Sequence, residues 1–217
     1  MGVSSDFEEI ERELKRLALQ LRLELTEKEG AHNISWQNYT SGHLVRTGEY
    51  AEGIARALGL NKKTTTLIRL SAELHDAGKI YIDNDILFNK IERGGDKWKA
   101  IWRHPYDGLK WLKKNTSIEV PKIVKNAIKC HHENWDGSGY PGGPKEGMIR
   151  GRVPDVARII RPADSWDAAT SDRPYKKRRN TEDAVRKMKD RSGTIYEPTK
   201  INALFKYLRK EGIISKF

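Results

Sequence analysis

Five of the six histidines stand where metal ligands could: His43, the His75-Asp76 pair, His104, and the His131-His132 pair, with Asp164 as a further acidic partner. Imidazole and carboxylate without thiolate suit iron, manganese, zinc or cobalt and disfavour calcium and magnesium. Neighbouring residues on a helix point about 100° apart, so the two adjacent pairs fit two neighbouring ions better than one. Metals ~3.5–4 Å apart can lower the pKa of a shared water, aim the resulting hydroxide at phosphorus and stabilise charge on the non-bridging oxygens. No protein nucleophile is needed. Two divalent ions set against Asp76, Asp164 and a hydroxide leave the centre formally cationic, which attracts an anionic phosphodiester. A single His on an apolar helix face is most often a hydrogen-bonded core residue, but that reading fits one histidine far better than five of six. His32 lies outside the pattern in a polar stretch and reads as a surface residue.

The elements that must position these residues are helical. Residues 65–76 carry Leu67, Leu70 and Leu74 at helical spacing with Ile68 and Ala72 on the adjoining row, which brings His75 and Asp76 to the helix end, with Gly78 as its stop. Residues 121–132 open on Pro121 and carry Ile123, Val124, Ala127 and Ile128, so His131 continues the apolar face. His43 opens a third helix, in which Leu44, Thr47, Ala51, Ile54, Ala55 and Leu58 recur every three or four residues until Gly59. Pro162 removes a hydrogen bond from the helix that delivers Asp164, which predicts a local bend. Thr181 is expected to cap a further helix, and PTKINALFKYLRK forms a final amphipathic one.

Residues 5–28 form a highly charged helix opened by a capping box from Ser5 to Glu8. Its Phe7, Ile10, Leu14, Leu17 and Leu21 make a stripe that fits a homodimer seam and packing on the same domain equally well. The polar stretch TEKEGAHN separates this helix from the rest. The expected organisation is an N-terminal amphipathic helix over 1–30, a candidate dimerisation element, and a catalytic domain over 31–217, with an all-α fold.

The chain carries 41 basic and 30 acidic residues, a formal net charge of +11 that favours phosphate-rich ligands, nucleic acid or anionic surfaces. No recognition-helix or RNA-binding motif accompanies it, so no specific nucleic acid is expected as a partner. The densest basic cluster, RPYKKRRN, starts at Arg173. A single cysteine, Cys130, excludes an intramolecular disulfide, fits a reducing compartment and reads as core packing. No signal-like N-terminal apolar run and no stretch of ~20 apolar residues is present. The expectation is a cytoplasmic protein without a membrane span.

The stretches HDAGKI, HHENWDGSGYPGG and ADSWDAATSDRPYKK resemble the HD-GYP domains, a branch of the HD phosphohydrolases that hydrolyse cyclic di-GMP, and the likeness runs from about Tyr39 to about Phe205. It implies an HD-domain helical bundle, here with an additional N-terminal helix. It further implies that His43, His75 and Asp164 serve one metal, His104, His131 and His132 the other, and that Asp76 bridges them. The cofactors would be two divalent transition-metal ions, iron or manganese foremost. By the same likeness, Asp76 and Lys79 are catalytic, Lys79 contacting a phosphate or protonating a leaving group. Gly139, Tyr140 and Pro141 match the motif that names the family, with Tyr140 on the substrate side, and Arg173 and Lys176 match basic residues that hold the substrate's phosphates. Some members place a glutamate for a third metal where Tyr39 stands here, which favours a dinuclear site. Asp83 replaces a usual proline, FNKIERGG lacks a Lys-Pro-Gly turn, and Asn134 stands where arginine is common, so the lid over the pocket should be shaped differently.

The activity so implied is opening of cyclic di-GMP to linear pGpG, with GMP as a later product, in bacterial second-messenger signalling with protein partners. The alternatives are an HD phosphohydrolase acting on another cyclic dinucleotide or nucleotide, and a catalytically weak partner-binding module. The GYP loop argues against generic nucleotidases, and the full set of seven candidate ligands argues against lost turnover.

Overall fold

The long apolar-striped helix at the N-terminus runs from Gly2 to His32 in this computed structural model, which describes residues 2–32, 39–92, 94–142, 152–172 and 178–215. We call it α1; it starts before Ser5, so that residue is not its N-cap, and it carries on through the polar stretch TEKEGAH without a break. The remaining helices are α2 (Tyr39–Ala57), α3 (Lys62–Leu74), a 3₁₀ turn (Ala77–Tyr81), α4 (Asn84–Leu87), α5 (Asp96–Asn115), α6 (Lys122–Cys130), α7 (Asp155–Thr170), α8 (Thr181–Lys189) and α9 (Pro198–Lys210). No strand occurs among the described residues, only an isolated bridge between Ser192 and Tyr196. No described helix is long and apolar enough to cross a membrane.

Local chemistry sets the helix ends. Gly59, at φ +75°, closes α2: its N–H and that of Leu60 donate to the carbonyls of Arg56 and Ala55, a Schellman motif. Asn61 then caps α3 by accepting from the Thr64 N–H at 2.9 Å. The cap of α8 is Asn180, accepting from the Asp183 N–H at 2.7 Å, rather than Thr181, which is already helical. Residue His43 lies one turn inside α2 instead of opening it. Pro162 sits within α7, which is continuous from Asp155 to Thr170.

Two apolar clusters flank a middle layer of α2, α3 and α6. On one side α7, α8 and α9 contribute Ile159, Ile160, Trp166, Met188, Leu204 and Leu208 against Ile54 and Ile68. On the other, Leu14, Leu17, Leu21 and Leu25 of α1 pack with Leu44, Leu74, Trp111, Val124 and Ile128. Those four α1 leucines are completely buried within a single chain. The stripe that also fitted a homodimer seam is thus buried within the chain, where α1 packs chiefly on α2 and α3 and its leucines share one apolar cluster with residues of α5 and α6. α1 is also tied to the site-bearing layer by polar contacts. Glu29, itself buried, accepts from the Thr40 N–H at 2.6 Å and so caps α2 from a different helix. At the other end Glu13 accepts from Thr116 Oγ1 at 2.6 Å and, mainly through its Arg16 partner, is held at a pKa of about 2.

Leu17→Ala should open a cavity in this second cluster and cost about 2–5 kcal/mol, lowering the thermal midpoint by roughly 10 °C. Thermal denaturation followed by circular dichroism checks this; a midpoint within a degree or two of the parent would mean that α1 is not part of the folding unit.

Candidate metal centre

All seven ligand candidates converge. Their donor atoms fall into two groups, Asp76 with His104, His131 and His132, and His43 with His75 and Asp164, each group lying within 4.8 Å. The carboxylate of Asp76 faces both. Its Oδ1 lies 3.2 Å from His104 Nε2 and 3.6 Å from His131 Nε2, while its Oδ2 lies 3.2 Å from His75 Nε2 and 3.6 Å from His43 Nε2. Asp164 Oδ1 stands 3.4 Å from His43 Nε2.

The four most buried imidazoles are held by the same device. His75 Nδ1 is 2.6 Å from the Ala72 carbonyl, His131 Nδ1 is 2.9 Å from that of Ile128, and His43 Nδ1 is 2.7 Å from Asp167 Oδ2. His104 Nδ1 is 2.5 Å from the Ile101 carbonyl. That carbonyl would normally accept from residue 105, which is a proline inside α5 and has no N–H to give. Pro105 thus frees the acceptor that orients its neighbour. At His75, His104 and His131 a main-chain carbonyl stands beside Nδ1, so that nitrogen carries the proton and Nε2 faces the centre as a bare lone pair; His43, with Asp167 beside Nδ1, reaches the same state when its second proton is lost. His132 is oriented differently, by stacking on Tyr140 with ring centroids 4.5 Å apart and planes 21° apart.

The donor set fits metal ions on its own evidence. His104 Nε2 and His131 Nε2 are 3.0 Å apart, and two lone pairs at that distance repel unless a cation lies between them. His75 Nε2 and Asp76 Oδ1 are buried with no hydrogen-bond partner, a cost of about 1–3 kcal/mol each that metal ligation would remove. In the protein alone the electrostatics are correspondingly uneven. Burial lowers His131 to about 4 and pushes His132 well down, whereas at His43 burial is overcome by the hydrogen bonds to Asp167 and Asp76, which raise it to about 9. The burial that would raise Asp76 is overcome by His75 and Lys79, which hold its carboxyl well below the usual range.

Backbone proximity brings the ligand-bearing elements together. A Cβ on Gly78 would lie 1.9 Å from the His104 carbonyl oxygen and 2.6 Å from Gly108 N. Gly78 therefore permits the 3₁₀ turn carrying Lys79 to touch α5. It was expected to stop the preceding helix; instead α3 ends at Leu74 and Gly78 serves this close approach, without a left-handed φ. Gly139 plays a similar part, since a Cβ there would lie 2.4 Å from the His132 carbonyl oxygen, and the Tyr140 N–H donates to that oxygen at 3.3 Å.

Lys79 Nζ bonds Asp76 Oδ2 and is part exposed beside the cluster. Cys130 is buried in apolar packing, with burial raising its thiol to about 11. Arg173 and Lys176 lie outside the described residues. Sequence reasoning missed Asp167, whose signal was its place one turn after Asp164 on the same helix face. It missed Arg46 as well, whose Nε is 2.5 Å from Asp167 Oδ1. At Asp167 burial is outweighed by His43 and Arg46, and the carboxyl falls to about 2.

Asp167→Ala removes the acceptor that fixes the His43 tautomer, and metal affinity should fall ~10–100-fold. Calorimetric titration of metal into the metal-free variant measures it; parent-like affinity would show that His43 is oriented without Asp167.

Comparison with known proteins gives the family. The chain is 36% identical over 172 residues, 79% of its length and 45% of the relative's, to a cyclic di-GMP phosphodiesterase of Thermotoga maritima. It is 26% identical over 225 residues to 3'3'-cGAMP-specific phosphodiesterase 2 of Vibrio cholerae, covering 95% of this chain and 42% of that protein. The chain thus spans less than half the length of these two relatives. Among solved structures, the HD domain of L. monocytogenes phosphodiesterase PgpH in complex with cyclic-di-AMP matches with a TM-score of 0.59 at 20% identity, covering 91% of this chain and 98% of that one, a likeness of fold. A family model described as HD domain matches residues 2–199, which takes in α1. The chain belongs to the HD domain family and is of the HD-GYP type.

Proposed function

We propose that this chain is a metal-dependent phosphodiesterase that opens a 3′–5′ cyclic dinucleotide, cyclic di-GMP foremost, using two divalent transition-metal ions. The observation that carries this reading is the split of Asp76, one oxygen turned to each ligand group, in a buried cluster with two unpartnered donor atoms. Two bound ions supply Lewis acidity and an activated water. The preference for two ions rests on the donors: no carboxylate stands at Tyr39, the first residue of α2. Imidazole-rich ligation fits iron or manganese.

The chain's own residues do the rest. Lys79, tethered to Asp76, lines both hollows beside the cluster. It is placed to contact the scissile phosphate and to give a proton to the departing sugar 3′-oxygen as the P–O3′ bond breaks, leaving a 5′-phosphate on the linear product pGpG. Arg173 and Lys176 are proposed to hold substrate phosphates. Tyr140, packed on His132, walls the site on the substrate side. The named substrates of the relatives differ in their bases and share the two-phosphate ring, which supports the ring as the feature bound. Second-messenger signalling in the bacterial cytoplasm is the setting that fits this chemistry.

Asp76→Ala should strip metal and turnover together, with kcat falling at least ~100-fold. Metal analysis of protein purified without oxygen, combined with chromatography of products from cyclic di-GMP and 3'3'-cGAMP, tests it. Full metal content with near-parent turnover would overturn the bridging role, and a parent enzyme inert on every cyclic dinucleotide would overturn the function.

A further inference from the structure

The hollow beside the ligand cluster has two unlike lobes that meet at Lys79 and His132. One, of about 250 Å³, is lined by apolar and aromatic side chains including Phe88, Trp98, Ile101 and Tyr140. Trp98 and Trp102 both lie near the Tyr140 ring, at centroid distances of 6.0 and 6.3 Å. Such a wall suits the face of a nucleobase. The other lobe, of about 340 Å³, lies between α7, α8 and the turn after α8. Besides Lys79 its described lining includes Arg161, Arg179, Lys187 and Arg191, against one acid, Asp164, which belongs to the ligand cluster. The small side chains Ala168, Ala169 and Ala184 keep it open.

The cations of this second lobe come from separate elements, and Arg161, Arg179 and Lys187 are held by polar partners. Arg161 reaches from α7 to Asn134 Oδ1, with Nη2 at 3.1 Å and Nε at 3.3 Å. Asp183, outside the lining, accepts from Arg179 Nη1 at 3.2 Å and lies 3.3 Å from Lys187 Nζ, so a single carboxylate positions two cations while leaving the lobe net positive. Guanidinium forks of this kind match phosphate oxygens.

We propose that Arg161, Arg179, Lys187 and Arg191 form a second phosphate subsite, which holds the phosphodiester of the cyclic dinucleotide that is not being cleaved. This rests on the function proposed above. The ring carries two phosphates, so when one lies at the metals the other must lie to one side, and the cationic lobe adjoins the cluster through Asp164 and His132. The aromatic lobe then takes a base. The subsite acts in binding and not in bond breaking, so its loss should raise KM with kcat nearly constant.

The experiment uses the metal-loaded chain with Arg179→Ala, Lys187→Ala and Arg191→Ala, singly and combined, and two substrates. Cyclic di-GMP needs both phosphate positions; bis(p-nitrophenyl) phosphate has one phosphate and needs only the metal centre. The combined variant should raise KM for cyclic di-GMP at least ~10-fold, with kcat within about threefold, unchanged metal content and parent-like cleavage of bis(p-nitrophenyl) phosphate. Arg179→Lys should restore part of the loss. Unchanged KM overturns the subsite, as does an equal loss on both substrates, which would trace the effect to a damaged centre. A variant that changes only the preference between guanine and adenine rings assigns the lobe to a base and overturns it too. Parent protein that cleaves bis(p-nitrophenyl) phosphate but no cyclic dinucleotide refutes the functional reading itself, and the subsite falls with it.

Discussion

Bare imidazole nitrogens forced to face one another across a buried carboxylate are the interaction on which this structure turns. His104 and His131 bring their Nε2 atoms to 3.0 Å, and both stand within 3.6 Å of Asp76 Oδ1. A protein interior does not collapse into that arrangement for packing alone, because buried donors and acceptors left unmatched cost stability. It persists because every ring is held from behind. Three of the four most buried imidazoles are tethered to main-chain carbonyls and the fourth to Asp167, so rotating any ring to relieve the centre would break a hydrogen bond elsewhere. The tethers also fix which nitrogen is free, and so convert a crowded polar cluster into a preformed set of ligands.

Holding those tethers in register requires the helices to approach more closely than side chains normally allow. Gly78 and Gly108 remove the Cβ atoms that would separate the 3₁₀ turn from α5, and Gly139 does the same where the GYP loop crosses the His132 backbone. Pro105 contributes by subtraction, since the missing N–H leaves Ile101 O for the adjacent histidine. These devices act on the backbone. The large apolar clusters supply the stability that lets the polar centre exist, and α1 supplies much of the second cluster while capping α2 through Glu29.

What could be read in the sequence divides along the same line. Helical periodicity and the types of His43, His75, Asp76, His104, His131, His132 and Asp164 carry information in one dimension, and the last helix was delimited correctly at Pro198–Lys210. Relations between elements left weaker traces. Gly78 looked like a helix stop because a glycine after an apolar run usually is one, whereas its missing Cβ serves a contact with α5, thirty residues along the chain. Thr181 and Asn180 are both good cap residues, and only the hydrogen bond to Asp183 chooses between them. The α1 stripe fitted two partners equally well, because heptad-like spacing describes a face without saying what lies opposite. Arg161 carried no motif; its place beside Asn134 is purely tertiary.

The two lobes follow from the elements that frame the centre. α7 delivers Asp164 and, one turn away on the same helix, Arg161 and Asp167, so the element that completes one ligand group also charges the adjoining hollow and locks His43. α5 delivers His104 and, on the preceding turns, Trp98 and Ile101, so the element completing the other group lines the apolar lobe. Each side of the Asp76 carboxylate is therefore coupled through one helix to a lobe of different character, one mainly cationic and one mainly apolar and aromatic. A substrate with an anionic part and a flat apolar part on opposite sides of a reacting phosphate would be oriented by that asymmetry before any chemistry occurs. Orientation of this kind converts binding energy into rate when the reacting atoms are held near in-line geometry. The polar centre and its unlike flanks are thus one construction, set by where α5 and α7 cross the carboxylate.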